Sequence, residues 1–219
     1  MGKINICIVD DHTLFRKAVM NLLKTFARVR EVSEAADGKS FIEQCKKKLP
    51  HVVLLDLEMP RMNGLETVEY LIPKYPSLKI IILTQHDSEK YMLHMLELGV
   101  HSFLLKNTNP KELERAIHSV MDKDFYHSDL VASVLRKSVK LKAEAPDYEK
   151  YKELSERERE IFKMIFEEYS LKEISARLHL AETTIQTHKA NIQLKLGVKN
   201  TVGLVKLAYE KRLFAHTQP

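Results

Sequence analysis

The chain has 219 residues, 44% of them hydrophobic and 30% charged, which suits one large or two small domains with packed cores. It contains no run of about 18 apolar residues, so no membrane span is expected. Met1-Gly2-Lys3 leads straight into a strand-like run without a cleavage site, so no secretory signal is expected either. The formal net charge of +5 is unevenly spread. Residues 1–124 carry 18 Lys/Arg against 17 Asp/Glu, whereas residues 183–219 carry 6 against 1. A basic end on a neutral body points to phosphate-bearing partners, although a solvated basic face gives the same count. Cys7 and Cys45 are too few for a disulfide framework and read as buried free thiols of a cytoplasmic protein.

In chain order, strand-like runs fall near residues 4–9, 30–34, 52–55, 79–84 and 102–105. Segments of helical spacing separate them, such as Leu14, Ala18, Leu22 and later Leu113, Ile117, Val120. Short, nearly all-apolar strands are those of a parallel sheet covered on both faces. Five such units over residues 1–122 predict an α/β domain with a doubly wound five-stranded parallel sheet. Residues 123–153 read as a linker with one helix, capped by Ser128 and carrying Leu130, Val134 and Leu135. Its charged tail, 140–153, is broken by Pro146.

Residues 154–219 are predicted to be all-helical. Ser155-x-x-Glu158 and Ser170-x-x-Glu173 are capping-box patterns that start two helices. The connection His179-Leu180-Ala181-Glu182 leads to a third helix ended by Gly197, and a fourth runs from about Thr201 to Arg212. Two helices joined by a tight turn, the second with a basic polar face, fit a helix-turn-helix.

The chemistry gathers at strand ends. Asp10-Asp11 follows the first strand, Asp56 the third, Thr84 ends the fourth and Lys106 follows the fifth. In a parallel sheet these groups converge on one edge, where α/β folds place their sites. Three carboxylates, a hydroxyl and an ammonium are suited to hold a divalent cation and accept a phosphoryl group.

This order of residues, with Asp56-Leu57-Glu58-Met59-Pro60-Arg61-Met62-Asn63-Gly64, resembles the receiver domain of bacterial two-component response regulators. Leu154-Ser155-Glu156-Arg157-Glu158-Arg159-Glu160-Ile161 and Lys195-Leu196-Gly197-Val198 resemble the helix-turn-helix of the LuxR/NarL (FixJ) type. The receiver resemblance implies that Asp56 is the phosphoacceptor. It also implies that Mg²⁺ is held by Asp11, Asp56 and the backbone carbonyl of Glu58, with Asp10 acting through water. Lys106 would balance charge on the phosphoryl oxygens and Thr84 would bond one of them. Phe103 falls where receivers carry a switch aromatic, and also reads as plain core. Asn107 stands where the family has Pro after the Lys, which leaves a cis peptide there open. His12 either tunes the pocket or is a surface residue. The ten histidines show no metal-ligand spacing, so a zinc site is not expected.

The helix-turn-helix resemblance implies that Gln186, Thr187 and Ala190 face bases. Thr183, Thr184, Lys189, Asn191 and Lys195 would contact phosphates, with Lys172 on the preceding helix. Gln186 stands where the family often has Lys, and can pair with adenine. Ala181 replaces the usual capping Ser, which should cost about 1 kcal/mol of helix stability. The apolar stripe Val205, Leu207 and Ala208 is the candidate surface for pairing two copies on a palindromic site.

The sequence is therefore expected to encode a cytoplasmic transcription regulator and not an enzyme. A sensor histidine kinase would phosphorylate Asp56, with double-stranded DNA bound by a homodimer. Two rivals are an aspartyl-phosphate phosphatase, and a DNA-binding protein with a relict receiver. Turnover of a phosphate ester would favour the first, and failure to label with acetyl phosphate the second.

Overall fold

The computed structural model describes residues 2–85, 88–141, 151, 153–211 and 213–214. The chain divides into two units: Met1–Met121 with Tyr126–Ser128, and Asp122–Phe125 with Asp129–Pro219.

The first unit alternates strand and helix: β1 Ile4–Val9, α1 Thr13–Leu23, β2 Val29–Ala35, α2 Gly38–Cys45 and β3 Val52–Leu55. It continues with α3 Gly64–Lys74, β4 Lys79–Thr84, α4 Glu89–Leu98, β5 Ser102–Leu105 and α5 Pro110–Lys123. All five strands are parallel, in the order β2-β1-β3-β4-β5. The order reverses between β1 and β3, which opens a crevice at their carboxyl ends. β3, near the centre, is wholly buried. β2 lies at an edge and is largely open, which is why it alone carries Arg30, Glu31 and Glu34.

Side chains alternate across the sheet. Ile4, Ile6, Ile8, Val52, Leu54, Ile81, Leu83 and Leu104 form one core with Val19 and Leu23 of α1 and Leu113, Ile117 and Val120 of α5. Phe103, adjacent to Leu104, takes the opposite face and is fully buried. Cys7 and Cys45 are free and buried. Burial pushes the Cys7 thiol up to about 12 and the Cys45 thiol up to about 11, so both stay protonated at neutral pH.

In the second unit, α6 is Asp129–Leu141, α7 Glu156–Phe166, α8 Leu171–Leu178, α9 Glu182–Leu196 and α10 Thr201–Lys211. Residues 142–150 of the expected linker, and Arg212, lie outside the described residues. Both expected capping boxes form: Ser155 with Glu158 and Ser170 with Glu173. The α8–α9 turn is made by His179 in the left-handed region. Ala181 caps α9 without a side-chain bond, and Gly197 closes it at φ 68°. α9 packs on α7 and α8, and α10 on α6 and α7. Ile161, Phe162, Ile174, Ile185, Ile192 and Leu204 are fully buried. Phe214 stacks edge-on against Phe162 at 5.2 Å, an aromatic contact the sequence pattern did not indicate.

The pairing stripe expected on the last helix is not a free surface. Val205 and Ala208 are each 1% exposed, because α10 is covered by α6 and α7, and of the three only Leu207 is half-buried. A three-residue apolar stripe does not say which neighbour covers it. Among the described residues no helix is long and apolar enough to cross a membrane.

Candidate functional site

The strand ends assemble a polar pocket in the first unit. Asp10 and Asp56 are almost fully buried, at 1% and 3% exposure. Lys106 Nζ donates to Asp10 Oδ2 at 2.7 Å and to Asp56 Oδ2 at 2.8 Å. Its ammonium also lies 4.9 Å from the ring centroid of Phe15 on α1. The Leu57 backbone N–H donates to Asp56 Oδ1 at 2.8 Å. Thr84, fully buried, ends β4 beside Leu105. The Lys106 N–H bonds the Thr84 carbonyl at 2.8 Å, which aims the lysine back across the sheet edge. No cis peptide bond occurs among the described residues, so Lys106-Asn107 is trans.

Burial raises the Asp56 carboxyl above the ordinary range, and the Lys106 bond offsets this only in part. Burial works against the charge on Lys106 too, but hydrogen bonds from it to Asp10 and Asp56 outweigh that and hold it protonated above its usual range. One cation thus serves two carboxylates, a shortfall of positive charge that a divalent cation would correct.

The surroundings fix this geometry. Arg16, 8% exposed, donates through Nη1 to the Asp10 carbonyl at 2.6 Å and through Nε to Glu34 at 3.0 Å, tying the β1–α1 loop to β2. A Cβ on Gly64 would fall 2.4 Å from the Asp56 carbonyl oxygen and 2.7 Å from the Leu57 Cα. Only glycine lets α3 start this close to the Asp56 loop. Asn63 and Glu66 cap α3 reciprocally. Arg61, held at φ 68°, pairs with the buried Asp37 that caps α2. Gly64 and Arg61 were visible in the sequence only inside a motif, and Phe15 and Arg16 not at all. The available signal was an arginine on the otherwise apolar inner face of α1, three residues before Val19.

Asp10, Asp11, His12 and Asp56 each place a potential ligand atom within 4.8 Å of the others. This corrects the expectation that no histidine keeps metal spacing with acids; the set comes from two loops, and linear spacing does not show it. A set this rich in carboxylates suits a hard divalent cation. The Glu58 side chain is exposed; with Asp11, His12, Met59, Asn63 and Tyr91 it lines an open depression beside the pocket.

The candidate nucleic-acid residues lie in the second unit. Thr183, Gln186, Thr187, Ala190 and Asn191 are exposed along one face of α9, and Lys172 is exposed on α8. Leu194, 80% exposed, extends that face and was not anticipated. Thr184 is half-buried. The two other lysines are paired with carboxylates of the same unit, Lys189 largely buried and Lys195 still exposed. Lys189, 13% exposed, donates to Asp124 Oδ2 at 2.5 Å, and the same oxygen accepts from Thr201 Oγ1 at 2.7 Å. Lys195 donates at 2.7 Å to Glu158, whose side chain is 5% exposed.

A sheet of this order with acids and a lysine at its carboxyl edge, followed by a separate helical unit with a helix-turn-helix, defines a receiver joined to a DNA-binding domain. Residues 6–118 match the response regulator receiver domain, and residues 152–208 match the luxR family of bacterial regulatory proteins. The chain belongs to the LuxR-family response regulators of two-component systems. It is 32% identical over 212 residues to the transcriptional regulatory protein DegU of Brevibacillus brevis, covering 91% of this chain and 90% of that one. It is 30% identical over 209 residues to the nitrate/nitrite response regulator NarL of Escherichia coli K12, covering 95% and 96%. Among solved structures, the response regulator RcsB in complex with DNA matches at TM-score 0.57 and 26% identity, over 95% of this chain and 99% of that one.

Proposed function

We propose that Asp56 accepts a phosphoryl group from a sensor histidine kinase and that this controls DNA binding by the helical unit. The observation that carries the reading is the double ion pair of Lys106 with Asp10 and Asp56 at the end of the sheet. Asp56 Oδ2 is the nucleophile: it forms the O–P bond as the P–N bond to the kinase histidine breaks and that imidazole leaves, and its bond to Lys106 is exchanged for one between Lys106 and a phosphoryl oxygen. Asp11 and Asp56, with the Glu58 carbonyl, would hold Mg²⁺, and Asp10 would assist through water. When bound, the cation neutralises the transferred oxygens. Thr84 bonds the phosphoryl group, and Phe103 repacks with it. Family membership and the likeness to RcsB, of which a structure of two dimers bound to two parallel DNAs is known, support binding to double-stranded DNA as a homodimer, and a DNA-binding regulator is consistent with the cytoplasm. On this reading the chain acts as a switch and not as a turnover enzyme, because the unit that follows the pocket is a DNA-binding one that can read the phosphorylated state.

Incubation with acetyl phosphate and Mg²⁺ tests this by intact mass. One added phosphoryl group is expected, absent in Asp56→Asn and with a chelator. Labelling that persists in Asp56→Asn would falsify the assignment.

A further inference from the structure

We infer that α9 reads its DNA through the C5-methyl groups of thymines, packed against Thr187, Ala190 and Leu194, and that Leu194 is a specificity-determining residue. The inference rests on the reading that the helical unit binds double-stranded DNA. Between Thr183 and Leu194 the exposed residues of α9 are Thr183, Gln186, Thr187, Ala190, Asn191 and Leu194, and none of them carries a charge. At about 100° per residue, Thr187, Ala190 and Leu194 fall within about 60° of arc and form one ridge, with Gln186 and Asn191 on its two flanks. Ile185, Ile192 and Leu196, the buried apolar residues of α9, lie on the opposite side of the helix. Leu194, 80% exposed, is therefore not an overflow of the core but part of the outward ridge.

The ridge presents carbon to its partner. Ala190 has only a methyl to offer. Thr187 Oγ1 donates to the Thr183 carbonyl at 3.0 Å, so its hydroxyl proton is spent inside the helix and its methyl is left for a base. Leu194 ends the ridge with a larger apolar group. The thymine C5-methyl is the one apolar group on a major-groove base edge, and Ala and Thr methyls are among the groups that contact it. An uncharged ridge lacks the Arg or Lys that pairs with guanine. The three residues stand at i, i+3 and i+7, a spacing by which a helix lying along the groove presents side chains to bases. From Thr187 to Leu194 the helix rises about 10.5 Å, close to about three base steps of 3.4 Å, so Leu194 still reaches a base edge in that pose.

The test uses the full-length chain, with and without acetyl phosphate and Mg²⁺. A random duplex library is selected for binding, and the most enriched duplex is the probe. Each of its thymines is replaced in turn by deoxyuridine, which lacks the C5-methyl and keeps the hydrogen-bonding edge. Wild type, Thr187→Ser and Leu194→Ala are titrated against every duplex. Deoxyuridine at one or more positions is expected to weaken wild type by roughly 4-fold, the worth of one buried methyl. At one such position the loss should shrink below about 2-fold in Leu194→Ala, the coupling expected of groups in contact. Thr187→Ser should show the same coupling at a different position. If no deoxyuridine weakens wild type, or Leu194→Ala loses the same factor on thymine and uracil duplexes, the methyl readout is overturned while the DNA-binding reading stands. An unchanged affinity of Leu194→Ala for the probe overturns the role of Leu194. If no duplex is enriched with or without acetyl phosphate, the DNA-binding reading fails as well.

Discussion

Glu158 is the most deeply buried of the described charged residues in the helical unit, and its replacement should be costly. Its Oε2 accepts from the Ser155 backbone N–H at 2.8 Å and from Lys195 Nζ at 2.7 Å, at 4% exposure. Burial acts to raise its carboxyl, but the Lys195 ammonium and the Ser155 donors outweigh that and hold it below the ordinary glutamate range. Glu158→Ala removes an acceptor for a helix-start N–H, about 1–3 kcal/mol, and buried methylene packing, about 0.8 kcal/mol. The ion pair itself adds no more than about 1 kcal/mol, because Lys195, with its side chain 39% exposed, can rehydrate. The total is about 3 kcal/mol, or on the order of 15 °C in melting temperature for a unit of this size. Glu158→Gln keeps the Ser155 bond and should lose only about 1 kcal/mol. The sign with pH follows from the depressed carboxyl: its contribution is complete above the usual glutamate range and is lost as pH falls through the lower native value. Hydrogen exchange of α7 and α9 in the full-length chain, over urea and pH, measures both effects. If Glu158→Ala leaves protection unchanged, or Lys195→Met leaves stability intact while making DNA binding less salt-dependent, the pair is incidental and Lys195 serves phosphates.

Other consequences are as direct. Gly64→Ala places a methyl against the Asp56 carbonyl and Leu57 Cα. It should destabilise the first unit and slow Asp56 labelling by acetyl phosphate, whereas Gly2→Ala, with nothing within 4 Å, should do neither. Lys106→Ala is expected to permit labelling but to abolish any phosphorylation-dependent gain in DNA affinity; an unchanged gain would remove Lys106 from the switch. Asp124→Ala frees Lys189, so DNA affinity should rise and the salt dependence steepen by about one counterion. Gln186→Ala should instead cost about 1–3 kcal/mol at one base position and relax preference there, which a single-base variant series would show.

What the sequence disclosed and what it concealed divide along one physical line. Strands, helices and caps are local, so β3 and the Ser155 and Ser170 capping boxes were legible from hydrophobic period and short-range hydrogen-bonding chemistry. The pocket was legible because a parallel sheet brings every strand end to the same edge, whichever order the strands take. That order was not legible, although it is what sets Asp10 beside Asp56 across the β1–β3 crevice. Long charged side chains were the least legible. Lys189 and Lys195 share a helix with the exposed Gln186 and Thr187, yet Asp124 and Glu158, distant in sequence, engage them. The same holds for Arg16, whose neighbours in sequence give no hint of Glu34 or the Asp10 carbonyl. A charge on a basic helix is thus evidence for a nucleic-acid contact only once its internal partner is known. For Lys189 that partner, Asp124, makes the pairing a competition: a DNA phosphate must displace a carboxylate that Thr201 also holds. The electrostatic term in DNA binding should therefore be smaller than the excess of 6 basic over 1 acidic residue in 183–219 implies. On the proposed function, base-edge contacts from the uncharged exposed face of α9 should then carry a larger share than that count implies.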